Sequence, residues 1–172
     1  MKMNLTEEIQ KYRSILDESS GRINFEGILC TLDEPSDNFP VGSRQHKVLV
    51  RSDAAKKGLS TLIGAPVNYK PDWSGHNMNV TIGLITKAFI DGSNLKVRGY
   101  LMLAKYPKIL EEIEAIPSGL LGMSYEMENV TCKDIRQPIW ELTKVNFSGA
   151  SILLRSKAAY ANTSFRILRK EF

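Results

Sequence analysis

Hydrophobic residues recur along this chain at two spacings, and the two periods divide it into helices and strands. Leu5, Ile9, Tyr12 and Leu16 fall at helical spacing on one stripe. Asn4 or Thr6 suits the cap, Glu7 and Glu8 the positive first turn, and Gly21 the C′ position, which predicts an N-terminal helix over residues 1–21. The period then changes to two over Arg22 to Thr31, a strand signal. Asp33 to Gly42 (DEPSDNFPVG) carries the prolines and acids of a loop. His46 to Arg51 reads as a short buried strand. Ser52 then caps a helix to about Ile63, with Ala54, Ala55, Leu59 and Leu62 inward. Val67 to Asn77 is polar and aromatic, so His76 lies in or beside a loop.

The clearest hairpin joins Val80–Ile90 to Leu95–Ala104 through the turn Asp91-Gly92-Ser93-Asn94. Pro107 at N1 predicts a short helix through Ile116, broken by Pro117-Ser118-Gly119. Leu120 to Val130 follows as a strand, with Met123, Tyr125 and Met127 on one side and Ser124, Glu126 and Glu128 on the other. Ile139–Val145 and Ser148–Leu154 complete the predicted strands, and the end of the chain (RILRKEF) reads as a short basic tail or a final helix. One α+β domain built on a mostly antiparallel sheet or barrel is the natural sum.

Composition narrows the function classes more than it names one. The 172 residues are 42% hydrophobic and 24% charged, enough for one domain with a single core. No apolar run approaches the ~18 residues of a membrane span, and a signal-peptide h-region is not evident. A net charge of +4 is modest, and the basic residues are not interleaved with aromatics, which argues against a nucleic-acid stacking platform. Cys30 and Cys132 sit apart in apolar stretches, so they read as buried free thiols in a reducing compartment. Without clustered Cys or His pairs there is no zinc signature, and no cofactor is expected. Any catalytic histidine must be His46 or His76.

His76 lies in WSGHNMNVTIG, at the entrance to a strand. Taken alone it is an ordinary solvated loop histidine. Ser124 stands on a strand face with Glu126, and a serine hydroxyl becomes a useful nucleophile only when a base within reach takes its proton. Otherwise it is one more solvent-facing hydroxyl, and Glu126 and Glu128 are solvated strand carboxylates. The G-x-S-x-G elbow of esterase folds is absent, because Glu126 stands where the second glycine belongs. A glycosidase-like acid pair lacks a sugar platform beyond Tyr69 and Trp73.

The order of motifs adds what single residues do not. LIGAPVNY, SGHNMNVTIGLITKAFIDGSNLKVRGYL, YPKILEEI, LLGMSYEME and NFSGASILLRSKAAYANTSF follow one another from Ile23 to Thr163. In this order the chain resembles the prohead (capsid maturation) serine proteases of tailed bacteriophages, which share the herpesvirus assemblin-type fold. The resemblance implies an antiparallel β-barrel flanked by a few helices over residues 22–163, preceded by the helix of 1–21 and followed by a basic tail of 164–172. It implies that His76 is the general base and Ser124 the nucleophile. Scaffold and major capsid proteins would be the substrates, and the protein itself another. The setting would be the assembling procapsid in the host cytoplasm, in a homo-oligomer, with no membrane and no specific nucleic acid.

One position departs from the pattern. Relatives place an acid on the strand after the serine, and the aligned position here is Gly149, beside Ser148. Ser148 or a water could hold the His76 Nδ1, or another acid such as Glu126 or Glu141 could substitute. Ser148 and Glu141 are the expected orienting residues, and the resemblance implies Arg155 as the basic residue of the oxyanion region. The missing acid also leaves a second reading open, a catalytically inactive core or scaffold component of the procapsid.

Overall fold

The computed structural model describes residues 21–102 and 105–168. The predicted N-terminal helix lies outside the described residues, apart from Gly21 at its end. Among the described residues eight strands form one sheet: β1 (Arg22–Thr31), β2 (Lys47–Val50), β3 (Pro66–Asn68), β4 (Gly83–Asp91), β5 (Asn94–Met102), β6 (Leu121–Cys132), β7 (Ile139–Leu154) and β8 (Ser164–Leu168). Two short helices, α1 (Ser52–Gly58) and α2 (Ile109–Ala115), pack beside it. The sheet runs β2-β7-β3-β4-β5-β1-β8, with β6 on the other edge of β7. Most neighbours are antiparallel, but β2 and β3 both pair parallel to β7, along different halves of it. This is the expected α+β fold, a mostly antiparallel sheet curled into a half-barrel.

Alternation along the strands explains the curl. Phe25, Val97, Leu101, Ile85, Val67, Met123 and Ile152 come from six strands and are completely buried on the inner face. Curling brings β6 against β1 and β8 at the far end of the sheet. The Met123 thioether lies against Gly27, where a β-carbon would overlap it. Buried Thr163 joins the edges: its Oγ1 accepts from Met123 N–H at 2.8 Å and can donate to the Met123 or Ile28 carbonyl.

Three expectations change. The two strands predicted over 139–154 are one 16-residue strand, β7. The apparent break at Ser148 is a bulge: Glu126 pairs with Gly149 and Met127 with Phe147, so Ser148 is the extra residue. The expected basic tail starts as a strand, because Ser164–Leu168 pairs with β1 and the Phe165 ring packs, tilted, against Phe25 with centroids 5.6 Å apart. The helix from Ser52 tightens to 3₁₀ geometry at Leu59–Leu62. Its first turn is capped from outside: the Asp33 carboxylate accepts the Ser52 N–H at 2.9 Å and its hydroxyl at 2.6 Å.

Candidate active site

The β6–β7 ladder assembles the site in two adjacent rows. Ser124 pairs with Ser151, and Ser151 pairs in turn with Asn68 of β3, so three polar residues cross three strands. One step along, Glu126 pairs with Gly149. Paired residues face the same side of a sheet, and so do residues i and i+2 of a strand. Ser124, Glu126, Ser151 and Asn68 therefore share one face, with the bare backbone of Gly149 among them.

Glu126 uses that bare spot. Its Oε1 accepts a hydrogen bond from the Asn68 amide nitrogen, across β7. The same oxygen lies 2.8 Å from His76 Nδ1. The carboxylate and the imidazole are largely enclosed, at 9% and 18% side-chain exposure, which screens their interaction less than at an open surface. A carboxylate on Nδ1 fixes the ring with that nitrogen protonated and Nε2 free to accept a proton. Asn68 is completed on its other side, where its Oδ1 accepts the Asn77 N–H at 3.0 Å.

The loop bearing His76 is fastened on both sides. The Ser151 hydroxyl lies 3.1 Å from the Gly75 carbonyl and 3.2 Å from that of Asn68. Leu154 N–H donates to the Trp73 carbonyl at 2.8 Å, and the Trp73 side chain is itself buried. A short polar loop thus presents its imidazole from fixed backbone at three points.

His76, Ser124 and Glu126 open onto one cleft of about 360 Å³, floored by β6 and walled by residues 40–43. Ser124 is 5% exposed, and among the described residues no protein group is hydrogen-bonded to its hydroxyl. Burial pushes the Cys30 thiol well above its ordinary value, so this cysteine is inert as a nucleophile. His46 stacks on Trp140 with ring centroids 4.4 Å apart, and its Nδ1–H donates to the Ser43 carbonyl at 2.9 Å. It braces a cleft wall rather than approaching Ser124.

The strand geometry of this sheet, curled with β6 closing against β1 and β8, has counterparts among solved structures. The KSHV protease in complex with a hexapeptide phosphonate inhibitor matches with a TM-score of 0.51 at 9% sequence identity, over 86% of this chain and 66% of that one. The chain has the assemblin-type protease fold. The bacteriophage T4 capsid assembly protease aligns with a TM-score of 0.44 and 12% identity, over 76% of this chain and 97% of that one. No protein-family model and no curated protein sequence matches the chain. The chain spans about two thirds of the length of the KSHV protease.

Within that fold the expected residues fall in different places. His76 and Ser124 share the cleft, and Ser148 lines it at the bulge. The His76 Nδ1, however, is held by Glu126 and not by Ser148 or Glu141. Glu141 is engaged elsewhere, with Arg51 at 3.0 Å and Lys133 at 3.8 Å, because its register on β7 sets it beside β2. Arg155 is also committed: its guanidinium donates to the Ala161 carbonyl at 2.9 Å and to the Gly119 carbonyl at 3.2 Å, tying two loops together away from the cleft lining. From the sequence Glu126 is open to two readings, a solvated strand carboxylate or the acid on His76 Nδ1, and its contacts fit the second, since Gly149 leaves room for it to fold inward. Asn68 is the residue that sequence reasoning missed. Its only signal is a polar side chain ending a short apolar strand.

Proposed function

We propose that the protein is a serine endopeptidase with Ser124 as nucleophile, His76 as general base and Glu126 as the group that orients His76. The carrying observation is the Glu126–His76 contact of 2.8 Å in the cleft that Ser124 lines. Ser124 and Glu126 are two residues apart on one strand, about 6.7 Å along its axis. An imidazole held by its Nδ1 at the carboxylate can span that interval to the hydroxyl with Nε2.

In the reaction, His76 Nε2 takes the hydroxyl proton as Ser124 Oγ bonds to the carbonyl carbon of the peptide. Collapse of the tetrahedral adduct breaks the C–N bond, and the imidazolium returns the proton to the departing amine. Water then enters by the same route, giving a proton to Nε2 as its oxygen bonds to the acyl carbon; collapse of this second adduct breaks the bond to Ser124 Oγ, which takes the proton back from the imidazolium as the new carboxyl terminus leaves. Glu126 stabilises the imidazolium in both halves, and Asn68 keeps the carboxylate in place. The acid absent at position 149 is thus supplied from position 126. This removes the main ground for reading the chain as an inactive core component.

The substrates we assign are scaffold and capsid proteins of a phage procapsid, together with the protein itself. The assemblin-type fold and the order of sequence motifs favour this setting, in which the enzyme works inside the assembling particle as a homo-oligomer. The test is co-expression with capsid and scaffold proteins, followed on gels. Ser124→Ala and His76→Ala should both abolish the cleavage products. Unchanged cleavage in the two variants would sink the assignment.

A further inference from the structure

The outer face of β4, β5, β1 and β8, turned away from the buried Phe25, Val97 and Leu101, carries a row of charge across all four strands. Lys87 pairs with Arg98, Arg98 with Glu26, and Glu26 with Arg166. Paired residues point to one side of a sheet, at intervals of about 4.8 Å. Among the described residues, three cations thus share a stripe about 14 Å long with one carboxylate. Along the chain the stripe is invisible, because its four members come from four separate segments.

Glu26 does not neutralise the row. Its Oε2 accepts from Arg98 Nε at 2.6 Å and its Oε1 from Arg166 Nη2 at 3.1 Å. Each guanidinium meets the carboxylate through one nitrogen, while the Arg98 side chain stays 47% exposed and that of Arg166 67%. Lys87 is exposed as well. The surplus of positive charge therefore stands in water, where an anion can complete it.

The rings beside the stripe decide the class of anion. Nucleic-acid bases stack on open aromatic faces. Here cations already lie over the rings: Lys87 and Arg98 at 5.2 and 5.5 Å from the Phe89 centroid, and Arg22 at 4.3 Å from that of Tyr100. Half-buried Leu84 and Tyr100 border the stripe in the row on one side, and half-buried Phe89 and Ile28 in the row on the other. Carboxylates on a polypeptide with apolar side chains among them match charge set between apolar borders.

We propose that this stripe docks an acidic segment of a partner protein, its carboxylates meeting Lys87, Arg98 and Arg166 and its apolar side chains the bordering rows. The inference does not depend on which residue is the nucleophile. The test is fluorescence anisotropy of the full-length protein, at low salt, with a labelled peptide of repeated Glu-Glu-Leu-Ala. The joint substitution Arg98→Gln with Arg166→Gln should weaken binding about tenfold. Glu26→Gln removes two hydrogen bonds from the fold, yet it should tighten binding about threefold by taking away the carboxylate of the stripe. A row that serves only the fold would not give that rise. Serine in place of leucine in the peptide should weaken binding about threefold. Failure of the wild type to bind the peptide, equal binding of a Lys-Lys-Leu-Ala counterpart, or a Kd unmoved in both protein variants would overturn the proposal. Tighter binding of an oligothymidylate than of the acidic peptide would overturn it too, and assign the face to nucleic acid. An unchanged Kd for the serine peptide would overturn the role of the apolar borders.

Discussion

Gly149 lies opposite Glu126 in the β6–β7 ladder, and a β-carbon there would stand 2.6 Å from Glu126 Oε2 and 3.0 Å from the Pro66 carbonyl oxygen. The carboxylate crosses β7 only because that position has no side chain. Gly149→Ala should therefore push Glu126 off its contacts with Asn68 and His76. We expect peptide cleavage to fall by about a hundredfold, as for a misplaced catalytic group. Stability should fall by about 1–3 kcal/mol, the usual range for overpacking. Cleavage rate and urea unfolding of the same preparation measure the two effects.

Glu126→Gln keeps the shape of the side chain and removes its charge. The amide can still contact Asn68 or His76, but it no longer stabilises an imidazolium or enforces protonation at Nδ1. The expected result is a loss in kcat of about 10³–10⁴-fold with KM little altered, the pattern of a lost transition-state interaction. A parallel rise in KM, with kcat retained, would assign Glu126 to substrate binding instead. Glu141→Gln, which removes a carboxylate paired with Arg51, should leave the rate within about twofold of wild type.

Thr163 closes the fold by hydrogen bonds to β6 and β1. Thr163→Val preserves its volume and leaves the Met123 N–H without its acceptor. Unfolding free energy should drop by about 2–3 kcal/mol, one lost bond plus the cost of an unsatisfied buried donor. Thr163→Ser, which keeps the hydroxyl, should recover most of that in chemical denaturation.

Glu26 supplies a pH dependence of stability. Its pKa is lowered, first by the hydrogen bond from Arg98 at 2.6 Å and also by Arg166 at 3.1 Å. A carboxyl depressed in the folded state adds stability above its unfolded pKa, and that stability is lost as pH falls through the folded value. The wild type should thus exceed Glu26→Gln by about 1 kcal/mol or less near neutrality, since both arginines are substantially exposed. The difference should shrink from about pH 5 downward, as melting curves across that range would record.

Local pattern carried much of this fold. Period-two alternation and the Asp91–Asn94 turn were sufficient for the β4–β5 hairpin, since pairing there is between neighbours in sequence. The alternation of β6 likewise put Ser124 and Glu126 on one face while Met123 and Tyr125 entered the core. Breaks were harder to read. The Asn146–Gly149 stretch has turn-like composition, yet pairing with β6 carries β7 straight through it as a bulge. Ser164–Leu168 is too short to predict a strand alone, and the open edge of β1 provides the partner that makes it one.

By itself the sequence determined the secondary-structure alphabet, the two histidines among which any base must be found, and the order of motifs that resembles the prohead proteases. It also determined that position 149 is glycine, without saying what the gap is for. Only the tertiary structure decided the partner of His76. That choice depends on lateral register, which puts Gly149 opposite Glu126 and Ser151 between Ser124 and Asn68. Register arises from contacts between residues dozens of positions apart, so no local period encodes it. The bare position at Gly149 and the carboxylate that crosses it are one feature, divided between two strands.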